Sequence, residues 1–425
     1  MTDSLNARRA RLIDALQPDD AILLVGAGEP VPLPEGTDQN YPYRSHSEYY
    51  YLAGMECPSG VLAVDFKGGA CGEWVSFVPD LTERERIWDG RAPVPGTTIA
   101  ALEPWLTQRR GRPIIMLGEP LRGVRADAAL TFQAREKLRH LRRPKDAGEI
   151  ALMRRAAAAT APGYARLREL IAPGVTERAL QIEMEVEYLR HGASRTGYAS
   201  IVGIGSNSAI LHTEPTSHAA KAGDFVLVDA AAEVDRYMVD VTRTFVVGEP
   251  TPFQRDLHQI VVAAEERAVA KCRPGAEWKE IHLGAARDMV AGLVGMGVMR
   301  GAADSLVEQN AHLLFFPHGI GHMVGLGVRD ASGSQPGRAK DPRPCLENLR
   351  MDLTLAPGYA VTVEPGLYFI PALLNDPKRR EKHRNVVNWP LVDQHIGLGG
   401  VRIEDTVIVT NGEPESLTGM IPKTP

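Results

Sequence analysis

The stretch Phe225-Val226-Leu227-Val228-Asp229 is the part of this sequence that decides the fold. Four apolar residues, all β-branched or aromatic except the leucine, predict a buried strand that ends in a carboxylate. The stretch Met238-Val239-Asp240-Val241-Thr242 predicts its antiparallel partner. A turn centred on Val234-Asp235 places Asp229 opposite Asp240, with Cβ atoms about 4.5–5.5 Å apart. The sequence therefore predicts a hairpin that holds two carboxylates side by side.

Two carboxylates at that separation destabilise a sheet unless positive charge lies between them. A divalent metal bound by both Asp229 and Asp240 satisfies that requirement. Two alternatives stay open at this point: the carboxyls share one proton, or one aspartate turns to solvent. The register itself depends on the turn, because a bulge shifts the pairing.

Three further candidate ligands follow the hairpin in the sequence. The stretch Phe315-Phe316-Pro317-His318-Gly319-Ile320-Gly321-His322 cannot be a helix, and in an extended chain its two histidines share a face. Val361-Thr362-Val363-Glu364-Pro365 predicts a strand that ends at a glutamate. Val401 to Val409 predicts one strand with Arg402, Glu404 and Thr406 on a single face. Each glutamate alone fits an edge-strand surface charge, so the metal hypothesis depends on the set of five.

The motifs around these residues resemble those of the pita-bread metallopeptidases, within the prolidase and aminopeptidase P branch. They are Asp229-Ala230-Ala231, Asp240-Val241-Thr242-Arg243-Thr244, His318-Gly319-Ile320-Gly321-His322, Thr362-Val363-Glu364-Pro365-Gly366 and Gly400-Val401-Arg402-Ile403-Glu404-Asp405. The stretch Tyr368-Phe369-Ile370-Pro371 and the approach Phe316-Pro317-His318 resemble prolidase in particular. The resemblance spans nearly the whole chain and is strongest from about Arg143 onward.

This resemblance implies a fold and a cofactor. The expected fold class is α/β (α+β): an N-terminal creatinase-like α/β domain, residues 1–143, and a C-terminal pita-bread catalytic domain, residues 144–425. The ligands of two divalent metals would be Asp229, Asp240, His322, Glu364 and Glu404, with Asp240 and Glu404 bridging. Mostly oxygen ligands favour Mn²⁺ as the first expectation, with Co²⁺, Zn²⁺ and Fe²⁺ as alternatives.

The resemblance also implies roles for other side chains. His212, His318 and Glu364 are the expected catalytic residues, with His212 at the scissile carbonyl. Tyr198 and Arg350 are expected to contact the substrate, and Arg350 matches the arginine that holds the substrate carboxylate in prolidases. Arg402 matches an arginine that either contacts the substrate or supports a metal ligand. The implied reaction is hydrolysis of short peptides near the N-terminus, as Xaa-Pro dipeptides or Xaa-Pro N-termini.

One position departs from the family pattern. Arg329, in Gly327-Val328-Arg329-Asp330, occupies the place of a histidine that would lie near the scissile bond. A guanidinium cannot accept a hydrogen bond or titrate, but it can bind a carboxylate. Arg329 therefore suggests an alternative function, a non-proline dipeptidase or a carboxypeptidase. In the opposite interpretation it turns away and pairs with a protein acid such as Asp330.

Composition restricts the remaining function classes. The chain has 425 residues and a net charge of −5, which gives no reason to expect nucleic acid or an anionic membrane as a partner. No apolar run is long enough to span a bilayer, and the first residues are too polar for a signal peptide. Four scattered cysteines favour free thiols and the cytoplasm. The expected assembly is a homodimer acting on short peptides. A metal-free binding protein on the same fold is a remote alternative, because such proteins lose ligands.

The front third predicts an alternation of short strands with helical stretches. The predicted strands begin at Ala21, Val61, Trp74 and Ile114. Pro144 disfavours a continuous helix at the domain boundary, and Asp146 is suited to cap the helix that follows. Two similar stretches, beginning at Ala172-Pro173-Gly174 and Arg273-Pro274-Gly275, each precede a predicted helix.

Overall fold

The computed structural model describes residues 2–36 and 38–425, and the chain divides into two compact units, Met1–Arg142 and Arg143–Pro425. No described helix has both the length and the apolar character needed to cross a membrane. Single turns of 3-10 helix occur at Pro34–Gly36, Ile99–Ala101, Gly205–Ala209, Ala311–Leu314 and Pro344–Leu346.

The first unit is a mixed sheet with helices. Its strands are β1 (Ala21–Gly26), β2 (Val61–Lys67), β3 (Ala70–Cys71), β4 (Val75–Val78), β5 (Thr97–Thr98) and β6 (Ile114–Gly118). Its helices are α1 (Thr2–Leu16), α2 (Ser47–Ala53), α3 (Glu83–Trp88), α4 (Leu102–Thr107) and α5 (Ala128–Arg142). The strand order is β5-β4-β2-β1-β6, with β3 added on β2. All four strands predicted for this region are confirmed, and their alternate side chains, such as Leu24 and Met116, pack in one apolar cluster.

The second unit contains most of the strands. They are β7 (Arg195–Thr196), β8 (Ile201–Ile204), β9 (Phe225–Asp229), β10 (Ala232–Val234), β11 (Tyr237–Met238), β12 (Thr242–Val246), β13 (Gly333–Ser334), β14 (Met351–Asp352), β15 (Ala360–Val363), β16 (Gly366–Tyr368), β17 (Gly400–Arg402), β18 (Asp405–Ile408) and β19 (Glu415–Ser416). They form small sheets ordered β12-β9-β8, β11-β10-β7, β15-β18-β19, β16-β17 and β13-β14.

Helices cover these sheets. They are α6 (Ala147–Leu170), α7 (Glu177–Arg190), α8 (Pro252–Ala270), α9 (Trp278–Gly295), α10 (Ala303–Glu308), α11 (Pro371–Leu374), α12 (Pro377–Lys382) and α13 (Trp389–Asp393). Asp146 caps α6 as predicted, because its side chain accepts a hydrogen bond from the Glu149 backbone. The two similar stretches precede α7 and α9, also as predicted. Trp278 at the start of α9 is fully buried in the large apolar core of this unit.

The predicted hairpin register is wrong by two residues. Asp229 pairs with Thr242 and Val234 with Tyr237, so the turn residues are Asp235 and Arg236. Both have positive φ, 48° and 74°, which is the two-residue turn whose twist matches the flanking strands. This turn fixes the register, so Asp240 is not directly opposite Asp229.

The strand predicted from Val401 to Val409 is also interrupted. Strand β17 ends at Arg402 and pairs with β16, whereas β18 begins at Asp405 and pairs with β15. The gap between β17 and β18 contains Glu404, and the gap between β15 and β16 contains Glu364-Pro365. Pro365 has no N–H to donate, so the regular hydrogen bonding between the two strands is interrupted at this residue. The Glu404 backbone N–H instead donates to the Thr242 carbonyl at 3.1 Å, which joins this segment to β12.

Candidate active site

Tyr198 contacts both aspartates of the hairpin formed by β9 to β12. Its hydroxyl lies 2.8 Å from Asp229 Oδ1 and 2.5 Å from Asp240 Oδ1. A hydroxyl has one hydrogen, so it donates to only one of these carboxylates at a time. The second contact brings two oxygen lone pairs together unless a proton or a cation is also present. Tyr198 therefore lies beside a site that has an excess of negative charge.

His322 faces the same carboxylates with a free ring nitrogen. Its Nε2 lies 3.6 Å from Asp240 Oδ2 and 3.7 Å from Glu364 Oε1, while Nδ1 lies 3.1 Å from the Met323 carbonyl. A proton on Nδ1 therefore donates to that carbonyl and leaves the Nε2 lone pair directed at the cluster. Burial lowers the pKa of His322 to about 4, so the ring is neutral at physiological pH.

The cluster fits a metal. Ligand atoms of Asp240, His322 and Glu404 all lie within 4.8 Å of one another, and all three residues are buried. Burial and the charge of Asp229 raise the pKa of Asp240, and burial and Asp240 raise that of Glu404. Burial likewise raises the pKa of Glu364 to about 7. Carboxylates crowded in this way are stabilised by a cation, and oxygen atoms with one imidazole suit a divalent ion.

Arg402 connects the cluster to the surrounding polar groups. Its guanidinium donates to Asp229 Oδ2 at 2.7 Å, to Thr242 Oγ1 at 3.1 Å and to the Tyr368 hydroxyl at 3.1 Å. The Thr242 hydroxyl in turn donates to Glu404 Oε2 at 2.6 Å. Arg402 thus fixes the orientation of one candidate ligand directly and of another through Thr242.

His318 is held at both ring nitrogens. Nδ1 lies 2.8 Å from the Gly319 carbonyl, and Nε2 lies 2.8 Å from the Tyr368 hydroxyl. Nδ1 therefore carries the proton, and Nε2 accepts from Tyr368. Burial and the charge of Arg402 lower the pKa of His318 to about 3. His318 presents the side of a neutral ring to its surroundings rather than a free nitrogen.

One cavity of about 430 Å³ brings every predicted site residue together. The residues shared between the sequence prediction and the cavity wall are Tyr198, His212, Asp229, Asp240, His318, His322, Arg329, Arg350, Glu364, Arg402 and Glu404. Thr242 and Tyr368 also hold the site together but were not predicted, although both lie within the family-like motifs. The signal for Thr242 was its place two residues after Asp240 in a predicted strand, on the same face.

His212, Glu214, Arg329 and Arg350 are the exposed polar residues of this cavity wall. Burial, followed by the charges of Arg329 and Arg402, lowers the pKa of His212, so this ring is neutral near pH 7. Burial and the neighbouring Arg329 also lower the pKa of Arg350. The two arginines therefore lie close enough to repel each other, and an anion between them relieves that repulsion.

The structure shows no ion pair between Arg329 and Asp330. The side chain of Asp330 is buried and accepts from Lys145 Nζ at 2.9 Å and from the Leu326 backbone N–H at 3.2 Å. Within the described residues, Arg329 forms no ion pair at all. The Lys145–Asp330 pair was not predicted from the sequence. It fixes the loop that presents Arg329 to the cavity.

Comparison with protein-family models assigns most of the chain. Residues 151–411 match the family described as metallopeptidase family M24, and residues 5–102 match the N-terminal domain of aminopeptidase P. The chain is 32% identical to the Xaa-Pro aminopeptidase of Escherichia coli K12, covering 98% of this chain and 95% of that protein. It is 28% identical to a probable Xaa-Pro aminopeptidase of Tuber melanosporum, covering 91% and 86%.

Solved structures agree with this assignment. Aminopeptidase PepP of Pseudomonas aeruginosa superposes with a TM-score of 0.81 at 29% identity, covering 100% of this chain and 96% of that one. Zinc-substituted E. coli aminopeptidase P in complex with product gives a TM-score of 0.80 at 30% identity, with the same coverage. The predicted architecture, an N-terminal α/β domain followed by a pita-bread domain, is confirmed. The family match and these relatives agree with the buried carboxylates and the neutral imidazole of the cavity. The chain therefore belongs to metallopeptidase family M24 and is an enzyme.

Proposed function

We propose that this protein is a two-metal aminopeptidase that cleaves the bond preceding proline at the N-terminus of peptides. The relatives reported above carry the name Xaa-Pro aminopeptidase, which favours N-terminal cleavage and does not favour the non-proline alternative. The observation that carries the proposal is the buried group of Asp240, His322 and Glu404, whose ligand atoms converge within 4.8 Å. A cation stabilises such a group, because unpaired buried charges are costly.

The metal ligands proposed are Asp229, Asp240, His322, Glu364 and Glu404. When bound, two divalent cations supply Lewis acidity and activate water for attack on a carbonyl. Manganese is the proposed metal, since oxygen ligands predominate. The four cysteines are free thiols, which supports the cytoplasm as the compartment, and the family resemblance supports a homodimer.

The other cavity residues have proposed roles in holding the peptide. His212 is neutral, and within the described residues its ring nitrogens have no hydrogen-bond partner, so it can donate to the scissile carbonyl. Arg402 orients Asp229, and Tyr198 holds Asp229 beside Asp240. His318 forms a neutral wall next to the substrate, and Glu364, whose carboxylate lies 3.7 Å from His322 Nε2 in the cavity, is the proposed acceptor of a proton from the attacking water.

Arg350 and Arg329 are the proposed determinants of substrate choice. Both line the cavity with side chains that can bind a carboxylate C-terminal to the scissile bond. A charge-assisted hydrogen bond contributes about 1.5–3 kcal/mol, which is roughly 10- to 100-fold in selectivity. We expect Arg329→His to reduce the preference for substrates that carry a carboxylate there by about that factor. An unchanged ranking of substrates in this variant excludes Arg329 from the site.

A peptide-library experiment tests the function itself. The enzyme is stripped with a chelator, reloaded with Mn²⁺ or Co²⁺, and given peptides of two to six residues, with matched alanine-for-proline peptides as controls. We expect cleavage at Xaa-Pro N-termini only after reloading. Full activity of protein shown to be metal-free by mass spectrometry contradicts the metal assignment, and equal cleavage of the alanine controls contradicts the proline assignment.

A further inference from the structure

A second cavity of about 500 Å³ lies beside α12 and is lined by several basic side chains. Lys378, Arg379, Lys382 and His383 occupy positions i, i+1, i+4 and i+5 and line this cavity together. Residues at that spacing share one face of a helical turn. We call this cavity the basic groove, and it is separate from the cavity that holds the candidate metal ligands.

The protein pairs only part of the charge around the basic groove. Arg379 on the groove wall pairs with Asp376. Arg380 and Arg384 on the other side of the turn pair with Asp393 and Glu381. By contrast, Lys378 and Lys382 form no ion pair with any described residue. Burial lowers the pKa of His383, and Lys382 and Arg379 lower it further, as expected beside concentrated positive charge.

Two loops contribute residues both to the groove and to the active-site cavity. Pro317 and Asn348 line the groove and lie one and two positions before His318 and Arg350, which line the active site. The Asn348 side chain donates to the Pro317 carbonyl at 3.0 Å and thereby clamps the two loops together. Since consecutive Cα atoms are about 3.8 Å apart, these wall residues of the two cavities lie within about 8 Å of each other along each loop.

We propose that the basic groove binds an acidic segment of a peptide substrate, C-terminal to the bond that is cleaved. The proposal rests on the proposed function, because Arg350 marks the C-terminal side of the scissile bond only if that function is correct. The apolar wall residues Leu313, Leu373 and Pro344 suit the aliphatic parts of aspartate and glutamate side chains. Glu347 on the same wall disfavours a polyanion of higher charge density, such as a nucleic acid.

The unpaired lysines of the groove contrast with the net negative charge of the chain. The whole chain carries a net charge of −5 and disfavours acidic ligands in general. A cleft lined with charge of one sign concentrates field lines and raises the local concentration of the opposite charge. Acidic peptides are therefore expected to be favoured only along this path, and less so at high salt.

The test compares two hexapeptides, Ala-Pro-Gly-Asp-Glu-Asp and its neutral analogue Ala-Pro-Gly-Asn-Gln-Asn, on the metal-loaded enzyme. We expect kcat/KM for the acidic peptide to exceed that of the neutral one about fivefold at low salt, given the modest strength of exposed ion pairs. The double variant Lys378→Gln/Lys382→Gln should abolish this preference. The matched control Lys221→Gln/Lys271→Gln removes the same charge from exposed lysines that do not line the groove, and should keep it.

A binding measurement separates failure of this proposal from failure of the proposed function. Fluorescence anisotropy of a labelled acidic peptide without proline, in the presence of chelator, reports on the groove without catalysis. We expect weaker binding in the groove double variant than in the control. Equal kinetics for the two hexapeptides, a preference that survives in the groove variant, or tighter binding of a single-stranded RNA than of the peptide overturns the assignment. A tripeptide substrate, too short for the groove, should be cleaved equally by all variants.

Discussion

Replacing Arg402 by methionine should destabilise the metal-free protein, because the carboxylates of the candidate metal site then repel one another without a nearby positive charge. The guanidinium side chain is 4% exposed and bonds to Asp229, which is 13% exposed, at 2.7 Å. Methionine retains most of the aliphatic volume but leaves Asp229 without its cation among neighbouring carboxylates. Breaking a buried pair in this way costs about 3–5 kcal/mol. For a unit of this size that corresponds to a fall in Tm of about 10 °C in metal-free protein.

Metal should reduce this loss, because divalent cations bound at Asp229 and its neighbours compensate the same negative charge. Thermal melting followed by circular dichroism, with chelator and with Mn²⁺, measures the difference. Arg154→Met is the matched control: its pair with Glu415 is 55% and 39% exposed, so we expect a loss under about 1 kcal/mol. Arg402→Lys keeps the charge but not the planar set of donors, and should lie between parent and Arg402→Met.

Two results would refute this reasoning. The first is a metal-free Arg402→Met protein that melts within about 2 °C of the parent, which is the size of effect expected for an exposed pair. The second is a loss of the same size with and without metal. In that case Arg402 stabilises the unit through packing and its hydrogen bonds to Thr242 and Tyr368. Its charge then has no special relation to the candidate ligands.

Three further predictions concern metal content, substrate length and pH. Asp240→Ala should lose both metal ions, as measured by inductively coupled plasma mass spectrometry, and a variant that retains two ions per chain contradicts the bridging role proposed for Asp240. Arg350→Ala should raise KM about 10-fold or more for Xaa-Pro dipeptides but little for pentapeptides, and an unchanged dipeptide KM removes this residue from the site. Burial lowers the pKa of His258 to about 4 and of His282 to about 3, so the unfolded chain binds their protons first as pH falls. Their contribution to the free energy of unfolding is therefore full above about pH 6.5 and falls as the pH drops towards 4. The loss is up to about 1.4 kcal/mol per pH unit for each histidine, measured by urea titration at several pH values. The variant His258→Gln should show a smaller dependence of this free energy on pH.

Local sequence was sufficient for the elements that carry the candidate ligands. Apolar runs ending in Asp229 and Glu364 predicted strands because burial selects for β-branched and aromatic residues, whatever the rest of the chain does. The break at Pro365 followed from its missing N–H. The five ligands appear in motifs specific enough to predict the family, and the family comparisons confirm that prediction. These features depend on a few consecutive residues, so they can be read without the fold.

Tertiary structure decided how those elements meet. The turn at Asp235 and Arg236 shifted the hairpin. The breaks at Glu364 and Glu404 interrupt one antiparallel pairing that keeps the same register on both sides. Tyr198 reaches both aspartates from a segment more than 30 residues away, a contact that no local pattern encodes. The same holds for the Lys145–Asp330 pair and for the cations of the basic groove. Periodicity sets which side of an element is buried, whereas long-range packing sets which partner it is buried against.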